Sequence, residues 1–213
     1  MAKKLGIIRE HIRHKWAWWN GYVRAYTGQI DWPLIVLFRK PLYKSTALIA
    51  HRQMARGRVL DVGTGPGRLP VLLVESAPNV ECIGIDIEPI VLRDARKHAL
   101  SNKAYERASF VCTDVSELPF ASESFDQVVS MFSLHLWRDR KKGISELHRV
   151  LKEDGNILIL VGRRLIYPGR VSLLDYFNKK SAKYLIDAFQ MAGFRETKIH
   201  NAENGALRVT SRK

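Results

Sequence analysis

The residues best placed to do chemistry lie in Asp61-Val62-Gly63-Thr64-Gly65-Pro66-Gly67. Three alternating glycines let a backbone pass close beneath a ligand, and a helix starting at Arg68 aims unpaired N–H groups at it. A pyrophosphate turn needs G-x-G-x-x-G. The spacing here is G-x-G-x-G, with Asp61 two residues before the first glycine. A carboxylate at that point repels a pyrophosphate and suits a ligand carrying an ammonium group. A second acid, Asp86 in Ile83-Gly84-Ile85-Asp86-Ile87, follows the middle glycine by about 20 positions, where a strand-end carboxylate takes both hydroxyls of a ribose. Read alone, an Asp before Glu88-Pro89 is a helix cap; read with the glycine loop, it is a ribose ligand. Asp114, in Phe110-Val111-Cys112-Thr113-Asp114-Val115, is a third strand-end acid, able to accept from the exocyclic amino group of adenine. His135, in Ser133-Leu134-His135-Leu136-Trp137, is either a general base for a nucleophile that must lose a proton, or a packed or capping histidine.

These side chains need strand ends to hold them. Apolar runs at Arg58–Val62, Val80–Ile85, Ser109–Cys112, Phe125–Met131 and Asn156–Val161 read as strands. Between them, Arg68–Ser76, Pro89–Ala99 and Arg140–Leu151 read as helices. That alternation predicts an α/β fold, a parallel sheet with helices on both faces. After a helix at Ala182–Ala192, stopped by Gly193, two further strands, Arg195–His200 and Ala206–Thr210, flank the segment Asn201–Gly205. Its Asn-Gly pair predicts a tight antiparallel hairpin.

Taken in order, VLDVGTGPGRL, IGIDIEP, CTDVSELPF, FDQVVSMFSLHLW and ELHRVLKEDGNILIL closely resemble the class I S-adenosylmethionine-dependent methyltransferases over about residues 58–162. The nearest group is type 11, similar to enzymes of ubiquinone and menaquinone biosynthesis. The resemblance implies a doubly wound, seven-stranded, mostly parallel Rossmann-like sheet ending in an antiparallel hairpin. It implies S-adenosylmethionine as cofactor and S-adenosylhomocysteine as product. Gly63, Thr64, Gly65 and Gly67 would then form the loop that cradles the methionine moiety, with Asp61 near its amino group. Asp86 would bind the ribose, Ile87 would flank the adenine, and Asp114 with the backbone of Val115 would read the adenine edge. Ser130 and Met131 would line the floor beside the methyl group, and His135 stands where similar enzymes often have a histidine. Thr64 and Pro66 depart from the family, which often has Cys or Gly there; Pro66 removes one N–H donor and stiffens the loop. The loop after strand four reads SMFS and has neither D/N-P-P-Y/F nor a Pro-Cys nucleophile, which argues against two routes of nucleic-acid methylation.

Charge and composition divide the chain. Residues 1–58 hold 12 Lys/Arg against 2 Asp/Glu, and the remainder 23 against 19, so +10 of the formal +14 belongs to the N-terminal quarter. Trp16, Trp18, Trp19 and Trp32, four of the five tryptophans, lie there too. The expected organisation is a basic, aromatic-rich helical cap over 1–57 and a cofactor-binding domain over 58–213. The cap is expected to hold one helix through about Trp19 and a second from about Pro33 to Ala55, with a break at Pro41. Trp18, Trp19, Tyr22 and Tyr26 are candidate substrate contacts, joined by Arg163 from the segment after strand five. Three uses fit this region: a lid over a small anionic or lipophilic acceptor, an anchor to a membrane surface, or an RNA contact. An RNA methyltransferase and a non-catalytic cofactor-binding subunit are the alternatives to a small-molecule enzyme. Cys82 and Cys112 have no metal-ligand spacing and read as buried thiols of a reducing compartment. No apolar run approaches the roughly 18 residues of a membrane span. A charged N-terminus in place of a signal sequence predicts a cytoplasmic or membrane-peripheral protein.

Overall fold

A parallel strand covered on both faces must be apolar on both, and Gly57–Val62 (β1) shows it: Val59 to Val62 are all buried. The computed structural model describes residues 43–52, 56–162, 166–167, 170–171, 179–202 and 206–213. After β1 come Val80–Asp86 (β2), Ala108–Cys112 (β3), Phe125–Met131 (β4) and Leu151–Gly162 (β5). Ile166–Tyr167 (β6) and Arg170–Val171 (β7) pair only with each other, and Arg195–Asn201 (β8) and Ala206–Arg212 (β9) finish the set. The main sheet has seven strands in the order β3-β2-β1-β4-β5-β9-β8. β1 to β5 are mutually parallel, and β9 inserts antiparallel between β5 and β8. This is the expected α/β sheet with its terminal hairpin. Ala202 N–H donates to the Ala206 carbonyl at 2.9 Å at the hairpin neck, while the turn residues 203–205 lie outside the described residues.

The helices are 43–52 (α1), Arg68–Ser76 (α2), Pro89–Ser101 (α3), Arg140–Val150 (α4) and Lys179–Met191 (α5). Side chains alternate across the sheet with period two. In β5, Ile157, Ile159 and Val161 join Ile144 and Leu147 of α4 and Leu185 and Phe189 of α5. Leu158 and Leu160 face the other way, into a cluster with Ala47 and Ala50 of α1, Leu69 and Leu73 of α2 and Leu92 and Ala95 of α3. Two layers of helix therefore clamp one sheet. The sequence runs outward from β1 to β3 and returns with β4 on the other side of β1. The carboxyl ends of β1 and β4 are thus the switch point where α/β sheets bind ligands.

Two details differ from the sequence reading. β5 starts at Leu151, which pairs with Phe125, so the expected helix Arg140–Leu151 ends at Val150; the polar stretch Lys152-Glu153-Asp154 conceals this early strand. The chain divides into compact units Met1–Pro41 and Leu42–Lys213, and α1, within the second, buries Ala47 and Ala50 in the core. Cys82 is buried, but Cys112 is exposed, since it ends β3 at the sheet's edge. Trp18, Trp19, Tyr22, Tyr26, Arg163 and the expected first helix lie outside the described residues.

Candidate active site

The glycine loop is held in shape by its neighbours. Gly63, Gly65 and Gly67 have φ of 73°, 54° and 72°. At Gly63 the left-handed backbone and a steric limit coincide, because a Cβ there would fall onto the Ser133 side chain. Gly63 and Thr64 N–H both donate to the Ile85 carbonyl at 2.9 Å. Gly65 N–H donates to Asp86 Oδ2 at 3.0 Å. Gly67 is the N-cap of α2 and brings no side-chain cap, so the first N–H groups of that helix face the loop's ligand side.

Each strand-end acid has a distinct setting. Asp61 is only 2% exposed. Burial pushes its pKa up to about 7, with the Asp86 carboxylate adding to the rise and the Thr64 hydroxyl opposing it. Thr64 Oγ1 is buried with no hydrogen-bond partner and packs over Gly84. Asp86 takes Gly65 N–H on one oxygen and Glu88 N–H on the other at 3.1 Å. Burial raises its pKa, and these backbone donors oppose the rise. It is not a helix cap: the N-cap of α3 is Glu88, and no side chain caps that helix. Asp114 accepts from Ser116 N–H at 2.9 Å and Ser116 Oγ at 2.8 Å, both on Oδ1. Oδ2 is left without a hydrogen bond among the described residues. Val115 turns its side chain into the core on the α4/α5 face, so only its backbone can face a ligand. Ile87 is 40% exposed, as a flank for a flat ring requires.

The segment after β4 supplies the other wall. Met131 is buried on the α1–α3 face. Ser130 is fully buried and its hydroxyl lies 2.9 Å from the Val62 carbonyl, so it braces the glycine loop. Phe132 holds a left-handed φ of 57°, unusual for a bulky residue and of the kind that gathers at functional sites. Ser133, absent from the sequence reading as a site residue, has its hydroxyl 2.8 Å from the same carbonyl and accepts from Trp137 Nε1 at 3.1 Å. His135 is half-buried in the short 3-10 turn Leu134–Leu136, and its carbonyl accepts from Arg140 Nη2 at 3.2 Å.

A buried carboxyl whose pKa draws on no basic side chain, beside an orphaned hydroxyl and a glycine cradle, suits the ammonium end of an amino-acid moiety. Asp86 and Asp114 suit a ribose and an amino-bearing base. The methyltransferase-domain family matches residues 59–155. Over those residues the chain is similar to class I S-adenosylmethionine-dependent methyltransferases. The donor set present would suit that cofactor, with Asp61, Gly63 and Gly65 toward the methionine end, Asp86 toward the ribose and Asp114 toward the adenine. The ubiquinone/menaquinone biosynthesis C-methyltransferase UbiE of Citrifermentans bemidjiense is 37% identical over 105 residues, 49% of this chain and 45% of that protein. The chain spans about half the length of the curated relatives it matches. Among solved structures, an S-adenosylmethionine-dependent methyltransferase from Aquifex aeolicus superposes with TM-score 0.66 at 18% identity, covering 78% of this chain and 88% of that one. The [4+2]-cyclase SpnF superposes with TM-score 0.65 at 17% identity, over 80% and 81%. The fold is thus shared with an enzyme named for a different reaction, and function has to be argued from the site.

Proposed function

We propose that the protein transfers a methyl group from S-adenosylmethionine to a ring carbon of a lipophilic, quinone-type acceptor. The donor half rests on one observation: the glycine loop is drawn onto Asp86 by the Gly65 N–H bond, which places three carboxylates and the cradle at adjacent strand ends. The acceptor half rests on relatives named for quinone biosynthesis, of which this chain matches 45% and 48% of the length. Bound S-adenosylmethionine supplies an electrophilic methyl group on a sulfonium. This chain's contribution is chiefly positioning, which is worth up to roughly 7–11 kcal/mol in favourable intramolecular cases. The loop from Gly63 to Gly67 holds the methionine end, Asp86 fixes the ribose, and Asp114 with Ile87 fixes the adenine. His135, beyond β4, takes a ring hydroxyl proton of the acceptor in its quinol form, which raises electron density on the neighbouring carbon; the hydrogen on that carbon leaves as a proton to solvent when the methylated ring regains aromaticity. The basic, tryptophan-rich composition of residues 1–57 suits attraction to a membrane surface, where a lipophilic acceptor would reside.

The test is turnover of labelled methyl donor against quinone-precursor and RNA pools. Label in a quinone-type lipid supports the reading; label in RNA, with binding that falls steeply with salt, replaces it. Asp86→Ala should weaken S-adenosylhomocysteine binding at least tenfold, about 1.4 kcal/mol, and unchanged affinity contradicts the ribose assignment. Full turnover by His135→Ala removes the base role.

A further inference from the structure

We infer that Ser133 is a positioning residue that ties the acceptor-side turn to the donor loop, so that the two walls of the site hold one fixed relation. This rests on the reading of the Gly63–Gly67 loop as the methyl-donor cradle. The Val62–Gly63 peptide is gripped on both sides. Its N–H donates to the Ile85 carbonyl at 2.9 Å, and its C=O faces two buried hydroxyls, Ser130 Oγ at 2.9 Å and Ser133 Oγ at 2.8 Å. Those hydroxyls are 2.7 Å from each other, so one must donate to the other. Trp137 Nε1–H reaches Ser133 Oγ at 3.1 Å.

The protons can be arranged in two ways. Either Ser133 donates to Ser130 and Ser130 to Val62, or Ser130 donates to Ser133 and Ser133 to Val62. In both, Ser133 accepts from the indole and passes a proton bond on toward the carbonyl. In both arrangements the indole N–H is linked to the Val62 carbonyl only through Ser133. Chained hydroxyls polarise one another in a site closed to water.

The same residue holds the other wall through its backbone. Ser133 is the N-cap of the turn carrying His135, and its carbonyl accepts Leu136 N–H at 2.7 Å. Its side chain also occupies the space that a Cβ on Gly63 would need. Shape and hydrogen bonding thus converge on one serine, set between the end of β1 and the only turn that presents His135.

The experiment compares Ser133→Ala with Ser211→Ala in the full chain. Ser211 is a hydroxyl of similar burial that bonds the Arg195 carbonyl at 2.9 Å on β9, three strands from β1. Binding of S-adenosylhomocysteine is measured by calorimetry, with hydrogen exchange at the Gly63, Thr64 and Gly65 amides. Ser133→Ala should weaken binding about tenfold, an effect of one lost hydrogen-bond network, and speed exchange at those amides. Ser211→Ala, at an equal or larger loss of Tm, should leave both near wild type. Should Ser133→Ala not fold, Trp137→Phe keeps the packing, removes the N–H donor and should weaken binding several-fold. Wild-type binding by whichever of Ser133→Ala and Trp137→Phe folds, with unchanged exchange, overturns the positioning role. A wild-type chain that binds no S-adenosylhomocysteine overturns the cradle reading itself.

Discussion

Asp61 holds its proton where an ordinary carboxyl has lost it, with a pKa of about 7 against 3.8. Between those values the folded chain binds a proton that the unfolded chain does not. Stability therefore falls as pH rises through that window and is greatest, for this group, below it. A cation brought against the carboxyl favours the charged form and pulls the pKa down. Cofactor binding at about pH 6 should then release up to about one proton, and affinity should rise toward about pH 7.5. Calorimetry in buffers of different ionisation enthalpy checks this, and Asp61→Asn should flatten both trends. A buffer-independent heat in the wild type would separate Asp61 from the ammonium. The gathering of Asp61, Gly63, Gly65 and Asp86 at adjacent strand ends was legible in the sequence, because strand ends and the glycine turn can be read from residue type and spacing. Ser133 was not, because its role lies in a contact made across 71 positions. Ser130 was placed in the site through the family resemblance, and only the fold says which carbonyl its hydroxyl meets.

At the scale of elements, the β1–α2 turn and the segment after β4 interlock. Gly63→Ala meets two obstacles, a left-handed φ of 73° and the Ser133 side chain. It should destabilise the fold by about 2 kcal/mol or more, read by denaturant unfolding. Adding Ser133→Gly removes the collision but not the backbone strain, so the double variant should be more stable than the sum of the single losses. Strict additivity would mean that the two residues do not press on each other. The strands and helices themselves were readable because β1 and the heart of β5 are apolar on both faces. The first residues of β5 were not, since Lys152-Glu153-Asp154 has the composition of a turn and pairs through its backbone.

Across the whole molecule, charge and fold are unevenly shared. Residues 1–58 carry +10 of the +14, and among the described residues no helix is long and apolar enough to cross a membrane. If the N-terminal region serves a lipophilic acceptor, the chain should pellet with anionic vesicles, and the binding should weaken as salt screens it. Retention in the supernatant at low salt speaks against that use. The sheet order has another consequence. β8 is made before β9 yet lies outside it, and its only partner in the sheet is β9. During synthesis β8 must therefore wait, while β5 shows the solvent an unpaired edge bearing Ile157 to Val161. The sheet closes when β9 inserts between two waiting neighbours, and a chain that stops short of Ala206 is left with an unpaired apolar edge. A version truncated after Ala202 should accumulate as aggregate while the 213-residue chain stays dispersed, as sedimentation of the two would show.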